Sequence, residues 1–99
     1  MNKTVLITGA SKGIGKALAV QFAKNNWDLI ITSRNLEKLN ILRTEIINQF
    51  NIQCKALALD VTDLNAFSKV LEDISLVKID LIILNAGISY PFNFKQEDF

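Results

Sequence analysis

Histidine is absent from the chain, and Cys54 is its single cysteine. No intrachain disulfide or Cys/His zinc cluster can therefore form within it, and neither a Ser-His-Asp nor a Cys-His nucleophile system can be assembled. Strong charge imbalance is missing too: 11 Lys and Arg stand against 10 Asp and Glu, a formal net charge of +1. That leaves no electrostatic case for nucleic acid or an anionic membrane surface. No apolar run approaches the roughly 20 residues of a membrane span. Lys3 is followed by only Val5, Leu6 and Ile7 before the glycines begin, too short a run for a secretory leader. These absences set the expectation of a reduced, cytoplasmic protein with no metal site.

What is present is a core. Hydrophobic residues make up 49% of the 99 residues, enough for one small domain and too many for a disordered chain. Thr4-Val5-Leu6-Ile7-Thr8 is a β-rich run that stops at Gly9. Ile14, Leu18 and Phe22 follow at helical spacing, and Asn25-Asn26 reads as a stop. Trp27–Thr32 predicts a second strand. Asn35 caps a second helix whose apolar stripe is Leu39, Leu42, Ile46 and Phe50.

A third strand is predicted over Gln53–Leu59, with Cys54 as a small buried side chain. Thr62 or Asp63 caps a third helix burying Leu64, Phe67, Leu71 and Ile74. Leu81–Leu84 forms a fourth strand, and another helix starts near Gln96. Four short apolar strands alternating with three helices argue for right-handed crossovers and a parallel sheet covered on both faces. An all-helical domain is the alternative, and the short β-branched runs count against it.

The sharpest feature is Thr8-Gly9-Ala10-Ser11-Lys12-Gly13-Ile14-Gly15, between the first strand and the first helix. A helix N-terminus offers unpaired N–H groups and the positive end of its dipole to a phosphate. Glycines let the backbone turn tightly and approach a pyrophosphate without an intervening Cβ. Gly15 also permits close packing of helix on strand. Ser11 either donates its hydroxyl to a ligand or holds the turn. A Walker A loop is excluded, because Lys16 is followed by Ala17 rather than Ser or Thr. The common G-x-G-x-x-G pattern is only half met, since Leu18 stands where its last glycine belongs. A structural turn with no ligand is the bland alternative.

With this turn in place, the sequence closely resembles the classical short-chain dehydrogenase/reductase family over essentially all 99 residues. Thr8-Gly9-x-x-x-Gly13-x-Gly15 is similar to the family's cofactor turn. Asp60-Val61 matches the pair after the third strand, and Asn85-Ala86-Gly87 matches most of the Asn-Asn-Ala-Gly segment after the fourth, with Leu84 replacing the first Asn. The resemblance implies a Rossmann-type three-layer αβα fold with strand order 3-2-1-4. It also implies that Asp60 bonds the adenine amino group, that Val61 lines the adenine pocket, and that the Asn85 segment braces the sheet near the cofactor ribose. Residues 1–99 are then a single partial NAD(P)-binding domain, ending before the family's catalytic half.

The second strand ends at Thr32-Ser33-Arg34-Asn35. An acidic residue there would accept from the ribose hydroxyls of NAD and repel a 2′-phosphate. Arg34 instead offers a guanidinium fork suited to phosphate, and Ser33 a hydroxyl. The resemblance brings Lys12 toward the same group. Either cation alone reads equally well as a solvated charge; together they favour NADP over NAD.

In the family, a tyrosine assisted by a lysine four residues on moves the substrate proton, and a serine orients the substrate oxygen. A tyrosine pKa near 10 must be drawn toward neutrality for that work. Tyr90 is the only tyrosine, and Phe94 stands four residues on, with Lys95 one position too late. Ser89 and Asn93 fail to match as well. No catalytic residue is assigned. The favoured reading is the NADP-binding portion of a reductase or dehydrogenase acting on a small carbonyl or alcohol, homo-oligomeric in its full-length form. The alternatives are a non-catalytic nucleotide-binding or interaction module, and a non-functional fragment.

Overall fold

The computed structural model describes residues 2–60, 62–74 and 78–85. Its elements are β1 (Thr4–Ile7), α1 (Gly13–Lys24), β2 (Asp28–Ser33), α2 (Leu36–Gln49), β3 (Cys54–Ala58), α3 (Leu64–Ile74) and β4 (Leu81–Ile83). The four strands form one parallel sheet in the order β3-β2-β1-β4. Two carboxylates tie neighbouring strands together at the sheet's amino-terminal edge. Asp28 Oδ1 accepts from the Gln53 N–H at 2.9 Å, and Asp80 Oδ2 from the Thr4 N–H at 2.9 Å.

Alternation along the strands sends apolar side chains to both faces, as a buried parallel sheet requires. On one face Val5, Ile7, Leu29, Ile31 and Cys54 pack against Ala19 and Ala23 of α1 and Leu39, Leu42 and Ile46 of α2. On the other, Leu6 and Ile30 meet Leu57, Ile79 and Val70 of α3. The result is a three-layer α/β Rossmann fold. Cys54 is buried as expected, and that burial pushes its thiol up to about 11.

The helix ends follow their local chemistry. Asn35 Oδ1 accepts from the Lys38 N–H at 3.0 Å and caps α2. Leu39, Leu42 and Ile46 bury the face beyond it, each contributing about 1.5–3 kcal/mol. Asn26, with φ +66°, turns the chain out of α1 in the left-handed conformation that asparagine tolerates. At α3, Asp63 Oδ1 takes the Ala66 N–H at 3.1 Å, so Asp63 is the cap.

Two predicted helix faces differ from the structure. In α1 the buried residues are Gly15, Ala19 and Ala23; Leu18 and Phe22 are half-buried, and Ile14 is 73% exposed. Gly15 packs directly against Gly9, which draws α1 so near the sheet that only small side chains fit the contact. In α3 Leu64 is 73% exposed and Val70 packs on the sheet, while the side chains of Leu71 and Ile74 lie outside what the structure describes. The segment around Gln96 and Tyr90 lies outside the described residues.

Candidate functional site

Four strand ends meet at the sheet's carboxyl edge, and hydrogen bonds clip them together. The Thr8 hydroxyl is the hub of the first clip. It accepts from the Asn85 N–H at 2.8 Å and donates to the Asn85 carbonyl at 3.0 Å. The Asn85 amide Nδ2 donates to the Gly9 carbonyl at 3.1 Å, and the Thr8 N–H donates to the Ile83 carbonyl at 3.1 Å. β1, its glycine turn and the end of β4 therefore hold one another.

A second clip joins the turn to β2. The Ala10 N–H donates to the Thr32 carbonyl at 3.0 Å. The Ser33 hydroxyl donates to Ser11 Oγ at 2.9 Å and accepts from the Asn35 N–H at 3.2 Å. Ser33 is thus buried and locally committed, and Ser11 is its acceptor. The Leu59 N–H donates to the Ser33 carbonyl at 2.9 Å, which brings in the end of β3.

The turn itself is shaped by two glycines with positive φ, Gly9 at +62° and Gly13 at +63°. A Cβ built on Gly13 would meet nothing within 4 Å, so the space over this backbone is open. Gly15 is the opposite case, lying beneath the turn. A Cβ there would overlap the Gly9 carbonyl and come within 2.6 Å of Asn85 Nδ2. Lys12, at the N-cap of α1, is extended and makes no side-chain cap, and no acidic residue occupies the first turn. The first N–H groups of α1 therefore have neither a capping oxygen nor a nearby carboxylate, the condition under which a helix start accepts an anion. Lys12, Gly13 and Ile14 are all exposed there.

Beyond β3, Asp60 Oδ1 accepts from the Thr62 hydroxyl at 2.6 Å and from the Thr62 N–H at 2.9 Å. These two bonds, the hydroxyl first, hold its carboxyl below the ordinary value, and the Arg34 charge adds to the effect. Asp60 is an ionised acceptor at neutral pH with Oδ2 outside both bonds. Arg34 and Asp60 share a groove of about 460 Å³ with Leu59, Ala66 and Val70. The role of Thr62 on Asp60 was missed in the sequence, although an Asp followed two residues later by Thr is an Asx-turn signal. Val61, Ala86 and Gly87 lie outside the described residues.

This arrangement, a parallel Rossmann sheet with a glycine turn opening α1, defines a dinucleotide-binding class of fold. Residues 3–99 match the short chain dehydrogenase family, and the chain belongs to that family. It is 39% identical over 97 residues to a very-long-chain 3-oxoacyl-CoA reductase of Vanderwaltozyma polyspora, covering 94% of this chain and 28% of that protein. It is 37% identical over 91 residues to serine 3-dehydrogenase of Rhizobium radiobacter, covering 90% and 35% respectively. Among solved structures, it resembles L-sorbose reductase of Gluconobacter frateurii complexed with NADPH and L-sorbose, at a TM-score of 0.82 and 25% identity, over 98% of this chain and 39% of that one. A short-chain dehydrogenase of Sphingobium yanoikuyae in complex with NADPH aligns at a TM-score of 0.75 and 31% identity, over 81% and 32%. The chain spans about three tenths of the length of the curated relatives it matches.

Proposed function

We propose that this chain is the NADP-binding portion of an oxidoreductase that transfers hydride between NADP(H) and a small carbonyl or alcohol substrate. The observation that carries the reading is the end of β2. Arg34 stands there beside the bonded pair Ser11 and Ser33, and no carboxylate lies between Thr32 and Asn35. NADPH in the solved complexes of two relatives supports the same cofactor.

In this reading the turn of Gly9, Gly13, Ile14 and Gly15 holds the pyrophosphate, with Gly13 open, Gly15 packed beneath the turn and Thr8 keeping it in place. Arg34, Lys12 and Ser11 form the 2′-phosphate end, with the committed Ser33 hydroxyl holding Ser11 beside it. Asp60 accepts from the adenine amino group, Val61 lines the base, and Asn85, Ala86 and Gly87 approach the ribose on the nicotinamide side. NADP supplies the hydride-carrying nicotinamide when bound. The fit rests on the uncapped start of α1 and the unobstructed backbone at Gly13. No catalytic acid or base is assigned within the 99 residues. The full-length protein is proposed to be a cytoplasmic homo-oligomer.

Titration of the chain with NADPH and NADH tests this. Arg34→Ala is expected to weaken NADPH by about ten- to a hundredfold, the range for hydrogen bonds to a charged group, and to leave NADH nearly unchanged. Equal losses for both cofactors would sink the reading.

A further inference from the structure

A small groove of about 180 Å³ lies between the start of α1 and α2, lined by Ser11, Lys16, Lys38, Ile41, Leu42 and Glu45. Ser11 is part of its lining, and its Oγ receives the Ser33 hydroxyl. Lys16 lies four residues after Lys12 on α1, and Lys38 four residues after Arg34 at the start of α2. Lys12 is the extended N-cap of α1, and Arg34 precedes Asn35, the N-cap of α2, so both of those cations stand just outside the helices in which Lys16 and Lys38 lie. What links the two lysines to the 2′-phosphate end assigned above is Ser11, which lines the same groove and is bonded to Ser33, the neighbour of Arg34. Both are exposed, and among the described residues neither forms an ion pair with Glu45 or any other carboxylate.

We propose that Lys16 and Lys38 are specificity-determining residues, an outer pair of cations that favours the 2′-phosphorylated nucleotide over its unphosphorylated counterpart. The inference rests on the NADP reading of the Arg34 site. A phosphate monoester carries close to two negative charges at neutral pH, whereas a ribose hydroxyl carries none. Two unpaired ammonium groups in the groove that Ser11 also lines lower the energy of the first group and do nothing for the second. Their exposure makes the contribution moderate and sensitive to salt, since screening sets in over about 8 Å at physiological ionic strength.

The test uses adenosine 2′,5′-bisphosphate and 5′-AMP, which differ only in the 2′-phosphate. Their affinities are measured for the chain and for Lys16→Gln, Lys38→Gln, the double variant and Arg34→Gln, at low and at physiological salt. Each lysine variant is expected to weaken the bisphosphate by about two- to fivefold at low salt, with 5′-AMP unchanged. The loss should shrink at higher salt, and Lys16→Arg and Lys38→Arg should restore affinity. If Arg34→Gln erases the discrimination while both glutamine variants match the parent chain, the inference fails alone. If a lysine variant weakens 5′-AMP equally, the inference also fails, because that cation does not distinguish the 2′-phosphate. If the parent chain does not distinguish the two nucleotides, the NADP reading falls and this inference falls with it.

Discussion

Thr8 and Asn85, 77 residues apart, exchange two hydrogen bonds through a single hydroxyl: Thr8 Oγ1 accepts from the Asn85 N–H and donates to its carbonyl. This clip fixes the end of β4 to the turn that opens α1. Thr8→Val keeps the shape of the side chain and removes both bonds, leaving a part-buried N–H and C=O without their partner. A loss of about 1–3 kcal/mol is expected in urea unfolding. Thr8→Ser retains the hydroxyl and should recover most of it. Equal stability of the valine variant and the parent chain would show that the clip contributes nothing.

Gly15 and Gly13 lie two residues apart and should respond to alanine for different reasons. At Gly15 a Cβ overlaps the carbonyl oxygen of Gly9, which is backbone and cannot rotate away. Overpacking of that kind costs about 1–3 kcal/mol and more than offsets the gain of about 1 kcal/mol in helix propensity. At Gly13 there is open space, and the penalty is the positive φ alone, about 1–2 kcal/mol. Thermal melts are expected to show both variants destabilised. Gly15→Ala should also shift the Asn85 side-chain amide resonances, because the new methyl meets Nδ2. Unchanged Asn85 resonances in a folded Gly15→Ala chain would contradict the close contact.

Much of this was legible in the residues. The runs of β1, β2 and β4 stood out because a parallel sheet leaves short apolar segments rich in Leu, Ile and Val, whereas β3 carries the exposed Lys55 within its run. Asn35 was readable as a cap because a side-chain oxygen before a helix has one obvious partner. The face of α1 was not readable, because periodicity scores size and greasiness. The contact was decided by Gly15, Ala19 and Ala23, which are small. Nor could the sequence show that Ser33 would be spent on Ser11 and the Asn35 N–H. That outcome depends on how closely the glycine turn approaches the end of β2, a three-dimensional distance fixed by the Ala10–Thr32 bond.

Asp60 offers a titration test of the carboxyl edge. Its pKa is held down first by the Thr62 hydroxyl, next by the Thr62 N–H, and last by the charge of Arg34. Carbon-13 NMR of the Asp60 carboxyl should therefore report a midpoint below the ordinary aspartate value of about 3.9. Thr62→Val removes the largest contribution and keeps the backbone bond, so the midpoint should rise part of the way. Arg34→Gln should raise it less. A depressed pKa in the folded chain favours folding above the unfolded value, and that contribution disappears as the pH falls through the folded midpoint. The parent chain is accordingly expected to lose more stability than Thr62→Val between neutral pH and pH values below both midpoints. A larger rise from Arg34→Gln than from Thr62→Val would mean that charge, rather than the Asx-turn bonds, keeps Asp60 ionised.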